Sequence, residues 1–130
     1  MKDQAVKFLK EHNFCVVSSV NAVGKPESAF VAYTCNDKLE IVIGTSNLSR
    51  KFKNISNDPS VSIVVADMSG EAQYEGQARI FYDKDEAMDL PGAKKYRDDP
   101  TQVWLRITPK WLRLVTHGET DKIEETTDFV

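Results

Sequence analysis

Very little of this 130-residue chain is given to covalent or metal staples: it has two cysteines, Cys15 and Cys35, and two histidines, His12 and His117. A disulfide framework is thereby excluded, and no Cys/His spacing typical of a zinc site is present. Long apolar runs are also missing. Those at 61–66 and 39–44 fall far short of the roughly 20 residues that a membrane helix requires. Residues 1–13 alternate charged with apolar side chains and lack the apolar core of a secretion signal, so a soluble, cytoplasmic protein is expected. Basic excess is lacking too, since 17 Lys and Arg oppose 20 Asp and Glu for a net charge of −3. A nucleic-acid groove normally needs a basic face, and here Glu27, Glu40, Glu71 and Glu75 fall on strand faces expected to be exposed. What is present is enough apolar material, 41% of residues with 9% aromatic, for one self-sufficient core.

The acidity is local. Glu119, Asp121, Glu124, Glu125 and Asp128 against Lys122 give the last twelve residues a net −4, which leaves +1 for residues 1–118. One domain over 1–118 and an acidic, frayed tail over 119–130 are expected. The body is nearly neutral, so any anion site in it must come from a local concentration of charge.

The patterning is mostly that of strands. Residues 3–11 carry Ala5, Val6 and Leu9 at helical spacing, and 14–20 then turn β-branched and small. Asn21-Ala22-Val23-Gly24-Lys25-Pro26 is a turn, 27–35 a second strand, and Asn36-Asp37-Lys38 a turn into a third strand over 39–44. Leu48, Phe52 and Ile55 form the stripe of a short helix that ends near Asn57-Asp58-Pro59. Strands at 61–66 and 72–82 follow, then a helix-like stretch at 83–97 interrupted by Leu90-Pro91-Gly92. A pair of strands at 103–108 and 111–116, joined through Pro109-Lys110, completes the body. Six or seven strands without βαβ alternation predict a mainly β, antiparallel Greek-key barrel with small helices at its ends.

The strongest chemical signal is Thr45-Ser46-Asn47-Leu48-Ser49-Arg50-Lys51-Phe52-Lys53. A helix N-terminus carries partial positive charge and unpaired amides, so acids are expected in its first turn; this one holds Arg50, Lys51 and Lys53 instead, with no acid before Asp58. An anion at that end resolves the conflict. Amides, the hydroxyls of Thr45, Ser46 and Ser49, and two cations would converge on a phosphate. The plainer alternative is an ordinary hydroxyl cap with solvated bases, at a cost of a few tenths of a kcal/mol per cation.

The order of these parts resembles the pyridoxamine 5'-phosphate oxidase-like, FMN-binding split-barrel family over roughly residues 14–115. The matching pieces are Gly24-Lys25-Pro26, Thr45 with Ser49-Arg50-Lys51, Asn57-Asp58-Pro59-Ser60-Val61, and Glu75-Gly76-Gln77-Ala78. The resemblance implies a split β-barrel homodimer that binds FMN. It implies a phosphate site at Thr45, Ser46, Ser49, Arg50 and Lys51, with Lys51 foremost. It also implies that the isoalloxazine ring lies against Phe30, Val31, Ala32, Tyr33 and Thr34, where main-chain groups would meet its polar edge. In such homodimers the flavin sits at the subunit interface, so Trp104, Arg106 or Trp111 of the partner's last strands become candidates to complete the pocket.

The chain departs from the vitamin-forming oxidases in three ways. Glu71 stands where they place a flavin-contacting Gln, with Gln73 two positions on as the substitute. Ala29 and Thr34 stand where they have Arg and Lys, and their C-terminal substrate motif is absent. A flavin-dependent oxidoreductase for another small molecule is therefore expected rather than an oxidase of pyridoxamine phosphate. The alternatives are a carrier or sensor that binds flavin, haem or deazaflavin without turnover, an oligonucleotide-binding barrel, and a structural dimerisation domain. Cys15 and Cys35 are expected to be packing residues, with Cys15 near Ala32 across the first hairpin. The histidines are expected to be solvated and no metal site is expected. No side chain is assigned as nucleophile, acid or base.

Overall fold

A computed structural model describes residues 1–87, 90 and 98–130. Helix α1 (Lys2–Lys10) precedes β1 (Phe14–Val20), β2 (Pro26–Cys35) and β3 (Ile41–Ser46), and α2 (Arg50–Asn57) leads into β4 (Ser60–Asp67) and β5 (Gly70–Phe81). After a short 3₁₀ turn at Asp85–Ala87 come β6 (Gln102–Thr116) and β7 (Lys122–Thr126). The strands lie in the order β3-β2-β1-β4-β5-β6-β7, all antiparallel, and β3 also pairs with β6. That pairing closes six strands into a barrel and leaves β7 as a flap on β6. Because β4 returns beside β1, the first four strands form a Greek key.

Alternation along each strand sorts the side chains into two faces. Val17, Tyr33, Ile41, Ile43, Ile63, Tyr74, Leu105, Ile107 and Leu112 fill the barrel, and Ala5 and Leu9 of α1 close one end of it. Two phenols in this core are satisfied by carbonyls: Tyr33 donates to Leu9 O and Tyr74 to Leu39 O at 2.7 Å. A second, smaller core lies outside the barrel wall, where Val42, Phe81 and Trp104 are covered by Ala87 and Leu90.

Four sequence expectations change. The strands expected at 103–108 and 111–116 are one continuous β6. Pro109 faces Gly76 and Trp111 faces Glu75, so Lys110 is the extra residue of a bulge, and the missing N–H of Pro109 is tolerated beside it. β3 starts at Ile41 rather than Leu39, because the Asn36 carboxamide accepts from the N–H groups of Lys38 and Glu40 and Leu39 takes a φ of 63°. The first hairpin pairs Cys15 with Val31 rather than Ala32, since Asn21 closes its turn on Lys25. The tail is not frayed: β7 pairs with β6, Phe129 packs against the core and Lys2 Nζ donates to Val130 O at 3.2 Å. The helix expected over 83–97 falls largely outside the described residues. None of the described helices is long and apolar enough to cross a membrane.

The bulge fixes what residue 76 can be. A Cβ there would stand 2.6 Å from Thr108 O and 2.8 Å from Ile107 Cγ2, both held by the β5–β6 ladder. Gly76→Ala is expected to lower stability by about 1–3 kcal/mol. Urea unfolding measures it, and an unchanged midpoint would mean that the ladder yields without strain.

Candidate functional site

The site is built where the barrel is incompletely zipped. β2 pairs with β1 along Pro26–Ala32 but with β3 only through Tyr33, Thr34 and Cys35. Among the described residues no strand covers the second edge of 26–32, and α2 packs beside β1 and β2 there. Ser49 caps α2: its Oγ accepts from Phe52 N at 3.2 Å and from the Thr45 hydroxyl at 2.9 Å. Both acceptor sites are thus used, and the Ser49 proton is free to donate outward. Ser46 Oγ likewise accepts from Leu48 N at 3.1 Å.

The stripe that holds α2 to the barrel is not the expected one. Leu48 lies before the helix and is 74% exposed, whereas Asn54 and Ile55 are buried and Lys51 is half-buried. Lys51, Asn54 and Ile55 stand at i, i+3 and i+4, so one helix face carries a cation, an amide and an aliphatic group toward β1 and β2. Of the expected stripe, Ile55 is buried and Phe52 half-buried; the apolar reading left out Asn54, which is held to the barrel by polar contacts. Asn54 Nδ2 donates to Ser19 Oγ at 3.0 Å and to Glu27 Oε1 at 2.9 Å.

Between α2 and the open edge of β2 is a pocket of about 150 Å³ lined by Val17, Ser19, Glu27, Ser28, Ala29, Arg50 and Lys51. Burial pushes the Lys51 ammonium below its usual pKa, and among the described residues no carboxylate pairs with it. Arg50 is committed differently, with Nη1 donating to Glu27 Oε2 at 3.1 Å. Glu27, expected on an exposed face, is half-buried in the pocket wall, and the Asn54 hydrogen bond followed by the Arg50 charge holds its carboxyl below the ordinary range. Sequence reasoning missed Glu27, Ser19 and Asn54 as a group. Their link runs between β1, β2 and α2, and no local pattern carries it.

The other expected residues are dispersed. Phe30 and Ala32 face outward, and Phe30 is 72% exposed and stacks on Phe14 at 5.2 Å. Val31 and Tyr33 point into the barrel, with Tyr33 in the core. Gln73 lies on the outer wall in the same cross-strand row as Phe30, Val16 and Val64. Three strand spacings, about 14 Å, separate it from Phe30, and its Nε2 donates to Glu71 at 2.9 Å. Trp104 is 0% exposed beneath Leu90 and Ala87, so its ring is used in this protomer's own packing and has no surface to offer a partner's pocket. Arg106 reaches Glu40 at 3.7 Å and Glu86 at 3.5 Å. Trp111 remains on the outer wall, its indole donating to Glu125 at 2.9 Å. The histidines are not simply solvated. His12 places Nδ1 2.7 Å from Phe8 O and Nε2 2.7 Å from Asp67, and His117 Nδ1 is 3.2 Å from Asp121.

Comparison with known proteins gives a consistent picture. The family model described as pyridoxamine 5'-phosphate oxidase matches residues 1–116. General stress protein 26 of Bacillus subtilis (strain 168) is 28% identical over 130 residues, covering 92% of this chain and 91% of that protein. The crystal structure of general stress protein 26 from Bacillus anthracis superposes with a TM-score of 0.77 at 23% identity, covering 87% of this chain and 92% of its own. A heme binding protein from Mycobacterium smegmatis superposes with a TM-score of 0.78 at 18% identity, covering 98% of this chain but 58% of its own.

The Asn54 bridge makes a pH prediction. A depressed Glu27 pKa stabilises the fold above the ordinary carboxylate range, and that contribution is lost as pH falls through the lowered value. Asn54→Ala is expected to move Glu27 back toward ordinary carboxylate titration, read by carboxyl-carbon NMR. It is also expected to cost about 1–3 kcal/mol at neutral pH by leaving Ser19 unpartnered. Unchanged Glu27 titration would show that Arg50 and Asn21, rather than Asn54, set it.

Proposed function

The chain belongs to the pyridoxamine 5'-phosphate oxidase family, and from that premise we propose that it binds FMN as a flavin-dependent oxidoreductase, with the phosphate at the N-terminus of α2. Lys51 carries this reading. Its ammonium is desolvated beside the first turn of α2, where the macrodipole and unpaired amides also favour an anion. A phosphate there would complete a charge that the described residues leave uncompensated. The Ser46 and Ser49 hydroxyls, whose oxygens already accept from the backbone, are the neutral donors available next to it. The Thr45 proton is committed to Ser49, so Thr45 acts by orienting that hydroxyl.

The uncovered edge of β2 supports the ring reading, because N–H and C=O groups along 26–32 need partners that neither β3 nor α2 supplies as a strand. A bound flavin supplies hydride or electron transfer, while the chain's part is to bind the phosphate, present main-chain groups to the ring and keep water from one face. The outer wall favours a second copy of the chain as the cover. Phe14, Val16 and Phe30 are exposed there as one apolar patch.

A haem-binding reading is favoured by the structural neighbour from Mycobacterium smegmatis. On that reading His117 would be the residue to hold the iron, since its Nε2 is unclaimed among the described residues whereas His12 meets acceptors through both ring nitrogens.

An absorbance spectrum of the purified protein separates the two: the paired bands of an oxidised flavin against a Soret band. If the protein is colourless, FMN and riboflavin are titrated by fluorescence quenching. Lys51→Ala is expected to weaken FMN binding by about tenfold or more while riboflavin changes by less than about twofold. Equal losses for both would place Lys51 in folding, and no saturable quenching by wild type would overturn the flavin reading.

A further inference from the structure

The pocket beside α2 contains its own anion. Glu27 comes from β2 and is held in place by two neutral or cationic donors of the helix, Asn54 Nδ2 at 2.9 Å and Arg50 Nη1 at 3.1 Å. The same pocket is lined by Lys51, which has no carboxylate partner among the described residues. Two cations therefore face one carboxylate, and the local charge is +1 rather than the +2 that the Arg-Lys pair announces in the sequence. A phosphomonoester carries about −1.5 to −2 at neutral pH, so the net +1 of the pocket balances only part of that charge as long as Glu27 stays ionised.

We infer that Glu27 is a specificity-determining residue of this site, an internal counter-anion that holds Arg50 when no ligand is bound and that a phosphate must displace from the guanidinium. The inference rests on the phosphate reading of the pocket and adds a direction to it. Glu27 weakens dianion binding, and of the two cations that line the pocket among the described residues it leaves Lys51 as the one able to meet the ligand without first giving up a partner. The geometry allows the exchange. Arg50 is 71% exposed along its side chain and can swing outward, whereas Glu27 is 21% exposed and anchored a second time by buried Asn54. The guanidinium is the member that changes partner, and the carboxylate remains beside the ligand.

Glu27→Gln tests this with little change in shape, because the amide oxygen still accepts from Asn54. Wild type and the variant are titrated with FMN and riboflavin by fluorescence, and with inorganic phosphate by the amide NMR shifts of Arg50 and Lys51. Thermal melts of both ligand-free proteins register any structural effect. The expected result is FMN and phosphate binding tightened by about tenfold in Glu27→Gln with riboflavin unchanged. A structural role would shift both flavins together. If wild type binds phosphate but not FMN, and the variant binds phosphate more tightly, the counter-anion stands and the flavin reading fails. If FMN binds wild type and the variant binds it equally or less tightly, the counter-anion is overturned and the flavin reading stands. Phosphate and FMN both failing to bind either protein overturns both. As a second variant, Arg50→Gln is expected to cost wild type little FMN affinity and to cost the Glu27→Gln background much more; equal costs would also overturn the inference.

Discussion

The pairing of β3 with β6 is the constraint on which the rest of the molecule depends. Six residue pairs from Ile41↔Ile107 to Ser46↔Gln102 close the barrel, and a closed sheet has no exposed edge to manage except where the closure is incomplete. By turning toward β6, β3 leaves β2 after Tyr33–Cys35, and the released edge of β2 is where α2 docks. The end of β3, the Thr45–Ser49 hydroxyl pair and the first turn of α2 follow one another along this line, so the step that seals the core also sets up the pocket.

The two faces of the wall are put to different uses. The inward face is aliphatic, with tyrosines whose hydroxyls are satisfied by backbone carbonyls, a fully paired arrangement that stabilises a single packing. The outward face is divided. Over β6 and β5 Ala87 and Leu90 pack on it and take Trp104 and Phe81 out of solvent. Over β1 and β2 it is left with a stacked phenylalanine pair in water. An aromatic residue on an outer strand face therefore has opposite fates depending on what packs over it, and strand alternation carries no information about that.

Much was legible from the chain alone. Alternation predicted the antiparallel barrel, because period two is a property of the backbone and needs no knowledge of partners. The hydroxyl-capped start of α2 was legible as well, because the cap at Ser49 and the bases Arg50 and Lys51 follow one another in the chain. Tertiary structure decided what pairwise proximity decides. Lys110 became a bulge within one strand instead of a turn between two, since Gly76 opposite Pro109 lets the ladder continue. The acidic tail became β7, because the edge of β6 offered hydrogen bonds stronger than the repulsion among a few solvated carboxylates. Most of all, Glu27 moved from an exposed strand face into the wall of the pocket beside α2. Its position in the sequence specifies only a strand residue; the 26 residues between it and Asn54 must fold before the carboxylate meets the helix, and groups so distant along the chain find each other only through the tertiary fold.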